Sequence, residues 1–584
     1  MSIYDKSSLV LIPSGTKTSK VYSQKPTNGD GDFDFTRSTA ATRVNADGNI
    51  EKETSNLMLQ SNAFNNWSGD PTLTSGQTGY DGSSDAWLLD TTSIDTFIYR
   101  NDVTSFSGVT TTSVYAKKGT ADGIRLRFNQ SSDANIYINL INGSDIGAAS
   151  GTISHNVTNL GSGWYRIEMS FIASGSQDFR IYVTDVTGAS TVGTVYIQDS
   201  QANQGLVAQP YQETTTTALY GGITDNVPRL DYTDSSCPAL LLEPQRTNLV
   251  VNSEYFGGTD WTKGNSSITT NATTSPSGFV DGSFLVPNTS ASTHTCGKFV
   301  GITSGTYTLS VYAKQGGYKN LLVWFDGHSG GVGVNLDDLS VFRDQNNDGY
   351  TIEDFGNGWV RIAVTITASS TASPNFYVYS NAATPAISYA GDGTSGLYLY
   401  GAQAELGSYA TSYIPTYGAG SVTRNGDRYE TKSLNNFVDT ANGFSFYYEI
   451  RDFELTEVSF ADYFSIRVSD AVSTNIRSEI RTNGTAGIFS SGITGFTTLN
   501  INDWYSAGDS IKKMCLVMTN NSQKVFVNGV LKASSTNTLT LPTFQQLNSD
   551  LNAGQTAQMK FAVNQTMLFQ SALTDQEAID LTTI

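Results

Sequence analysis

Along most of this chain, polar and apolar residues alternate one by one. In 359–366, Val360, Ile362, Val364 and Ile366 alternate with Trp359, Arg361, Ala363 and Thr365, the two-residue period of a strand with one buried face. Residues 164–171 read the same way: Tyr165, Ile167, Met169 and Phe171 share a face, and Trp164 and Arg166 share the other. In "SVYAK" (113–117), Val114 and Ala116 oppose Tyr115 and Lys117. Such short strands recur, turn residues fall about every ten positions, and no long helical stripe interrupts them, which predicts antiparallel sandwiches. The one helix expected is short and terminal, opened by the capping-box pair Thr574 and Glu577.

The strands come in two sets. "NLMLQSNAFNNW" (56–67) reappears as "NLVVNSEYFGGTDW" (248–261), and "SVYAKKG" (113–119) as "SVYAKQG" (310–316). "GSGWYRIEMSF" (161–171) reappears as "GNGWVRIAVTI" (356–366), and "VYIQDSQANQGLVAQPYQET" (195–214) as "LYLYGAQAELGSYATSYIPT" (397–416). The order is kept while the offset drifts between 192 and 202 residues, as loop-length changes between shared strands would produce. Residues 56–215 and 248–420 are therefore expected to be duplicate jelly-roll-like modules.

Residues 421–584 do not repeat the unit. "NGFSFYYEI" alternates Phe444, Phe446 and Tyr448, and "KVFVNGVLKAS" carries Asn528-Gly529, the strongest short hairpin signal. A third sandwich follows. Before the modules, "FTRSTAATRVNADG" (35–48) is polar, with Asp47-Gly48 suited to a turn; residues 216–247 are too apolar for a swinging linker and should pack as a structured connector.

Composition agrees with this reading. The chain has 584 residues, with only 15% charged and 58 Tyr plus Phe, too aromatic for disorder. A net charge of −19 with no basic run argues against nucleic acid as a partner. Cys237, Cys296 and Cys515 are scattered and form neither a disulfide framework nor a metal pair. The N-terminal stretch lacks a signal-peptide core, and no run approaches the ~18 apolar residues of a membrane span, so synthesis without export and without membrane insertion is expected.

Few motifs carry chemistry. "GHSGG" (327–331) has the Gly-x-Ser-x-Gly spacing of a nucleophile elbow, but a second strand follows where a helix is needed; a turn is expected. "DQNNDGYTIEDF" (344–355) opens like a calcium loop, with Asp344, Asn346 and Asp348 at alternate positions before Gly349, but Phe355 stands where a bidentate Glu belongs. A plain polar turn competes with a Ca2+ site, and no cofactor is required. Glu405 lies in a recurring phrase, yet its counterpart is Asn203, so a turn or interface role is expected rather than catalysis. Gln201 and Gln403 match and should hold a strand end by side-chain-to-backbone bonds.

The recurring Trp-x-Arg pairs are the sharpest candidates. Two residues apart on a strand, Arg166 can lie over Trp164 and Arg361 over Trp359 as cation–π stacks. They would either brace the sheet, the plainer reading, or present a platform for a sugar ring. In the third sandwich, Trp504 and Tyr505 in "DWYSAGDS" are a candidate contact patch, with core packing the competing role for Trp504.

Together, "FTRSTAATRVNADG", "NVPRLDYTDSSCPALLLEPQRTNL", "GNGWVRI", "GAQAELGSYATSYIPT" and "TRNGDR" resemble the repeated modules of tailed-bacteriophage fibre and head-spike proteins. From about 430 the chain resembles concanavalin-like (laminin-G-like) sandwiches, and "SALTDQEAIDLTT" resembles the ending of their phage versions. In the first module, "YIQDSQANQG" departs from the family's aromatic-Gly-x-Gln-x-Glu pattern. The resemblance implies an all-β virion surface protein, commonly a homotrimer, contacting other virion proteins, with residues 1–55 attaching to the particle. By analogy of fold it implies binding of a host-surface glycan. A purely structural head or tail decoration is the alternative, and a polysaccharide depolymerase is a third reading; no catalytic residue is assigned.

Overall fold

The structure, a computed structural model, describes residues 2–584 except 102–105, 175–177, 234, 370, 419, 455–459, 470–472, 482, 505–510 and 550–558. Strands dominate, and the described α-helices are Ile3–Lys6 and Asp575–Thr582, the latter capped by Thr574 and Glu577 as expected. No described helix is long and apolar enough to cross a membrane.

The duplication is visible strand for strand. In the first module, a six-stranded sheet runs in the order Thr152–Gly161, Trp164–Ala173, Gly108–Lys118, Gly193–Gln204, Ala86–Thr91, Thr72–Gln77. The second module repeats that order as Gly349–Gly356, Trp359–Ala368, Gly305–Gly316, Gly396–Leu406, Gly282–Pro287, Ser266–Thr273. Facing it in the first module is a five-stranded sheet: Ala134–Asn139, Gly123–Asn129, Asp178–Thr184, Phe97–Arg100, Ser68–Gly69. The facing sheet of the second module keeps these five, as Gly330–Asn335, Asn320–Asp326, Ser373–Tyr379, Ser292–Lys298 and Trp261–Gly264, and adds Val341–Gln345 and Ser388–Tyr389 at its edges. Tyr165, Ile167, Met169 and Phe171 fill one core, and Val360, Ile362, Val364 and Ile366 the other, as the alternation predicts.

The third sandwich is assembled from distant parts of the chain. Leu9–Leu11 pairs with Phe561–Phe569, and Phe33–Thr36 pairs with Arg428–Thr431. The connector supplies Ala239–Leu242, also on Phe561–Phe569. Leu9, Leu11, Val21, Phe33, Phe35, Leu240 and Leu242 are buried in the same core as Phe444, Phe446 and Leu516. A sandwich of 421–584 alone would expose these apolar faces, so the first 36 residues are structural parts of it. The Asn528-Gly529 hairpin forms as read, with both residues at positive φ.

Two buried ionic clusters tie the parts together. Arg37 Nη1 lies 3.0 Å from Asp427 Oδ1, and Arg229 Nη1 lies 2.6 Å from Glu243 Oε2; Arg229 also meets Asp427, and Arg424 meets Glu243. The side chains of all five are essentially sealed from solvent. They come from the N-terminal segment, the connector, and the "TRNGDR" phrase leading into the third sandwich. Burial acts to raise the Glu243 carboxyl, but Arg424 and Arg229 outweigh it and hold it well below the usual range. Burial pulls Arg37 down to about 10 against the opposing pull of Asp427. The second cluster places Lys52 Nζ, from the N-terminal segment, 2.9 Å from Glu254 Oε1 and 3.1 Å from the Tyr400 hydroxyl in the second module. The modules also touch: Val109 N–H donates to the Tyr417 carbonyl at 2.6 Å. A Cβ on Gly108 would sit 2.1 Å from that carbonyl, so only glycine fits.

Removing one member of a buried cluster leaves an uncompensated charge, at a cost of about 3–5 kcal/mol. Asp427→Asn should therefore lower the urea midpoint and expose the N-terminal segment to limited proteolysis; an unchanged midpoint would contradict the assignment. Because the folded Glu243 pKa is depressed, its stabilisation is present above its unfolded value of 4.5 and is lost as the pH falls toward the folded value. Acid unfolding that begins below about pH 4.5 in wild type should be blunted in Glu243→Gln, which is already destabilised at pH 7.

Candidate functional site: the open sheet faces

Each module has one sheet whose outer face is covered by its own returning chain, and this is where the Trp-x-Arg pairs lie. Trp164 and Trp359 are each 2% exposed. Trp359 Nε1–H donates to the Thr274 carbonyl at 3.1 Å. The arginines do not stack on these tryptophans. Antiparallel register sets Arg166 opposite Tyr115 and Arg361 opposite Tyr312, and the guanidiniums lie 5.5 and 5.3 Å from those tyrosine rings. Their Nη2 groups donate to the carbonyls of Gln209 and Thr411 in the returning segments. The pairs brace a covered face, and neither tryptophan is offered to a ligand.

Other matched residues complete that clasp. Gln201 donates to the Gln209 carbonyl at 2.8 Å and accepts from Gln212 N–H at 2.9 Å; Gln403 accepts from Ile414 N–H at 2.7 Å. Asn56 and Asn248 each make four bonds from a buried amide, spanning the strand and the returning segment. Glu405 accepts from Thr411 N–H at 2.9 Å, and Asn203 accepts from Gln209 N–H at 3.0 Å, so an acid and an amide serve the same acceptor position. Asp199, at φ 51°, stands where the second module has Gly401, at φ 60°. Burial pushes the Asp199 carboxyl up to about 7, opposed by the Tyr80 hydroxyl and reinforced by Asp85.

The outer faces of the opposite sheets carry half-buried polar and aromatic side chains among buried ones. In the first module, the strand register aligns Tyr137, Arg125, Tyr182 and Phe97 in one row across four strands. The Arg125 guanidinium lies 5.1 Å from the Tyr137 ring and 4.8 Å from Tyr182, whose ring is 4.7 Å from Phe97. The next row aligns Asn135, Arg127, Arg180 and Tyr99. Arg127 donates to Asp133 at 2.6 Å, and Arg180 pairs with Asp178. Three arginines thus face two carboxylates, a locally positive patch on an acidic chain. Phe97, Tyr99 and Tyr137 are half-buried, with ring surface left to solvent.

The second module has a different face at the same place. Half-buried Arg343 lies 4.6 Å above the Trp324 ring and donates to the Tyr379 hydroxyl at 2.8 Å. Trp324 itself is only 8% exposed, packed with Leu322 and Tyr379, so Phe342, Arg343 and Tyr377 are what this face leaves to solvent. Asp326 accepts from the Tyr377 hydroxyl at 3.0 Å and from Asn375 at 2.7 Å. Gly331 and Gly333 make room for the aromatics: a Cβ on Gly333 would lie 2.6 Å from the Phe342 ring. Planar rings beside fixed donors and acceptors can bind a polyhydroxylated ring, hydrophobic face on the aromatic and hydroxyls on the polar groups. The first face, richer in guanidinium, also suits a carboxylate.

The remaining predicted residues lie elsewhere. Trp504 is 1% exposed in the core of the third sandwich, so it is not a contact residue there; Tyr505 lies outside the described residues. Asp344, Asn346 and Asp348 fall where Val341–Gln345 passes to Gly349–Gly356. Asn347 donates to the Asp344 carboxylate at 2.7 Å, and Asn346 donates to the Ser329 carbonyl at 3.2 Å. Among the described residues, no three His, Cys, Asp or Glu side chains converge on a metal position. "GHSGG" is the turn between two strands, with Ser329 at φ 58° and His328 bonded to the Asn346 carbonyl.

No protein-family model and no curated protein matches the sequence. Among solved structures, the chain is similar to the CBM40 of the Ruminococcus gnavus IT-sialidase, at 14% identity over 24% of this chain and 84% of that one, TM-score 0.20. It is similar to the CBM22-1–CBM22-2 tandem of Paenibacillus barcinonensis Xyn10C, at 11% identity over 60% and 97%, TM-score 0.20. It is also similar to the LG1-3 region of the laminin alpha2 chain, at 10% identity over 82% and 96%, TM-score 0.18.

The Asp199 carboxyl gives a pH-dependent outcome. Its folded pKa lies above the unfolded 3.8, so its contribution to stability is full below 3.8 and is lost as the pH rises through about 7. Asp199→Gly removes both that charge and a strained positive φ, worth about 1–3 kcal/mol. The variant should melt higher than wild type at pH 8, with a smaller gain at pH 4; equal gains at both would show that charge plays no part.

Proposed function

We propose that this chain is a bacteriophage virion surface fibre or spike protein that attaches to host-surface glycans through the open faces of its duplicated modules. The observation that carries the reading is the pair of aromatic–guanidinium faces on the two sheets opposite the clasped ones. A partly exposed strand position is satisfied by Ser or Thr, yet Arg125, Arg180, Tyr137, Arg343 and Tyr377 stand there half-buried. Sequence resemblance to phage fibre and head-spike modules supports placement on the virion, and the same resemblance supports a homotrimer held among other virion proteins. Attachment of this kind works by many weak contacts, since copies tethered to one particle raise the effective concentration at a surface.

In this reading no step of bond cleavage is assigned, and Ca2+ is not needed. The alternative, a decoration that assembles without binding anything outside, shares the fold and the trimer but has no use for the open faces.

Arg343→Ala and the double variant Arg125→Ala/Arg180→Ala separate the two. Purified protein should bind host-surface polysaccharide in a glycan array or pull-down, and each variant should weaken that binding about tenfold or more, with native mass spectrometry still giving a trimer. Wild-type binding by both variants would favour the decoration reading. Release of reducing ends from the polysaccharide by wild type would instead establish a depolymerase.

A further inference from the structure

Lys52 ends in a nearly closed chamber. It leaves the N-terminal segment just after the strand Ile50–Glu51 and enters the second module, where its side chain is 9% exposed, that of Glu254 2% and that of Asp281 1%. Its Nζ lies 2.9 Å from Glu254 Oε1 and 3.6 Å from Asp281 Oδ2. The rings of Tyr400 and Tyr417 lie 5.6 and 5.9 Å from the ammonium. An amine, a carboxyl and a second carboxylate thus share one site that water hardly reaches.

The surroundings give the two acids different roles. Ser277 Oγ lies 3.1 Å from each Asp281 oxygen, which holds that carboxyl in place. Burial pushes the Asp281 carboxyl up to about 6 against Lys52, with Glu254 reinforcing the rise, so its neutral, electrophilic form is within reach near neutral pH. Glu254 Oε1 accepts from Lys52 and from the Tyr400 hydroxyl, and its Oε2 has no donor among the described residues. That oxygen is open to a proton. Burial alone would strip the Lys52 ammonium, but Glu254, Tyr417 and Asp281 keep it charged, so a proton must leave before the amine can act.

The first module is an internal control. Asp85 stands in the place of Asp281, and among the described residues no lysine pairs with it. Asn62 there replaces Glu254, Gln198 replaces Tyr400, and both amides donate to the Asp85 carboxylate, at 3.2 and 2.7 Å. The glutamate is present only where the lysine is.

We propose that Lys52 and Asp281 condense into an intramolecular isopeptide bond, with Glu254 as the proton carrier. Glu254 takes a proton from the ammonium, and the freed Nζ lone pair attacks Asp281 Cγ. The N–C bond forms and the C–O bond to the carboxyl hydroxyl breaks. Glu254 delivers its proton to the departing hydroxyl, which leaves as water, and takes a second proton from the nitrogen. An ammonium, a carboxylate and a carboxylic acid become a neutral amide, a carboxylic acid and water, which removes two buried ions. Groups held in contact replace a bimolecular encounter, and exclusion of water opposes hydrolysis of the product. The bond ties the N-terminal segment to the second module and does not rest on the glycan reading.

Intact-mass spectrometry of the full chain, purified folded and then denatured, tests it. Wild type should be lighter than its sequence by one water. Trypsin should fail to cut after Lys52 and should yield one branched peptide joining it to Asp281. Lys52→Arg and Glu254→Gln should each carry the full mass with no branched peptide, and circular dichroism melts check that both are folded. Asp281→Asn separates the chemistry from the fold: attack on an amide expels ammonia, so this variant should be lighter by ammonia and carry the same branch. The proposal is overturned if wild type has its full mass. It is equally overturned if the missing water persists in Lys52→Arg, which would assign it to a succinimide at Asp281-Gly282.

Discussion

The whole arrangement hangs on five charges that never meet water. Arg37, Arg229, Glu243, Arg424 and Asp427 come from three separated stretches of sequence. Each would be intolerable in a core alone, and each is tolerable because the others arrive. That requirement is a matching condition: the N-terminal segment, the connector and the entry to the third sandwich must all be in place before any is comfortable. It accounts for the pairing of Leu9–Leu11 and Phe33–Thr36 with strands more than 390 residues later.

Duplication supplies a second kind of evidence, a comparison within one chain. Features present in both modules are those the fold needs: the Asn56/Asn248 amides, Gln201/Gln403, and an arginine lying on the tyrosine of "SVYAK". Features that differ are free to specialise. The covered sheets share the amide, glutamine and arginine bonds of the clasp, whereas the opposite sheets have diverged into an arginine–tyrosine ladder and a face built on Arg343, Tyr377 and Asp326. Conservation of one side and divergence of the other is what a shared scaffold carrying two recognition surfaces would leave behind.

Much of the fold was legible because a two-residue period leaves little choice of which face is inside. Val360 to Ile366 and Tyr165 to Phe171 point where their alternation says, and Asn528-Gly529 turns where hairpin chemistry requires. Spacing along one strand could not say what lies across the sheet, so Arg166 was matched to Trp164 when the register sets Tyr115 opposite it. Nor could it show that strands of three or four residues near the N-terminus complete a sandwich at the other end. Trp504 illustrates a further limit: a tryptophan near a turn reads alike whether it faces water or the core. The outer face of the first module did leave a signal, in "GIRLRFN" and "DFRIYVT", where the polar phase of the alternation is held by Arg and Tyr instead of Ser or Thr.

Recognition through the open faces can be located directly by hydroxyl-radical footprinting of the intact protein with and without host-surface polysaccharide. The account predicts protection of Phe97, Tyr137, Phe342 and Tyr377, with the covered Trp164 and Trp359 unreactive in both states. Protection confined to the third sandwich, or no protection at all, would contradict it.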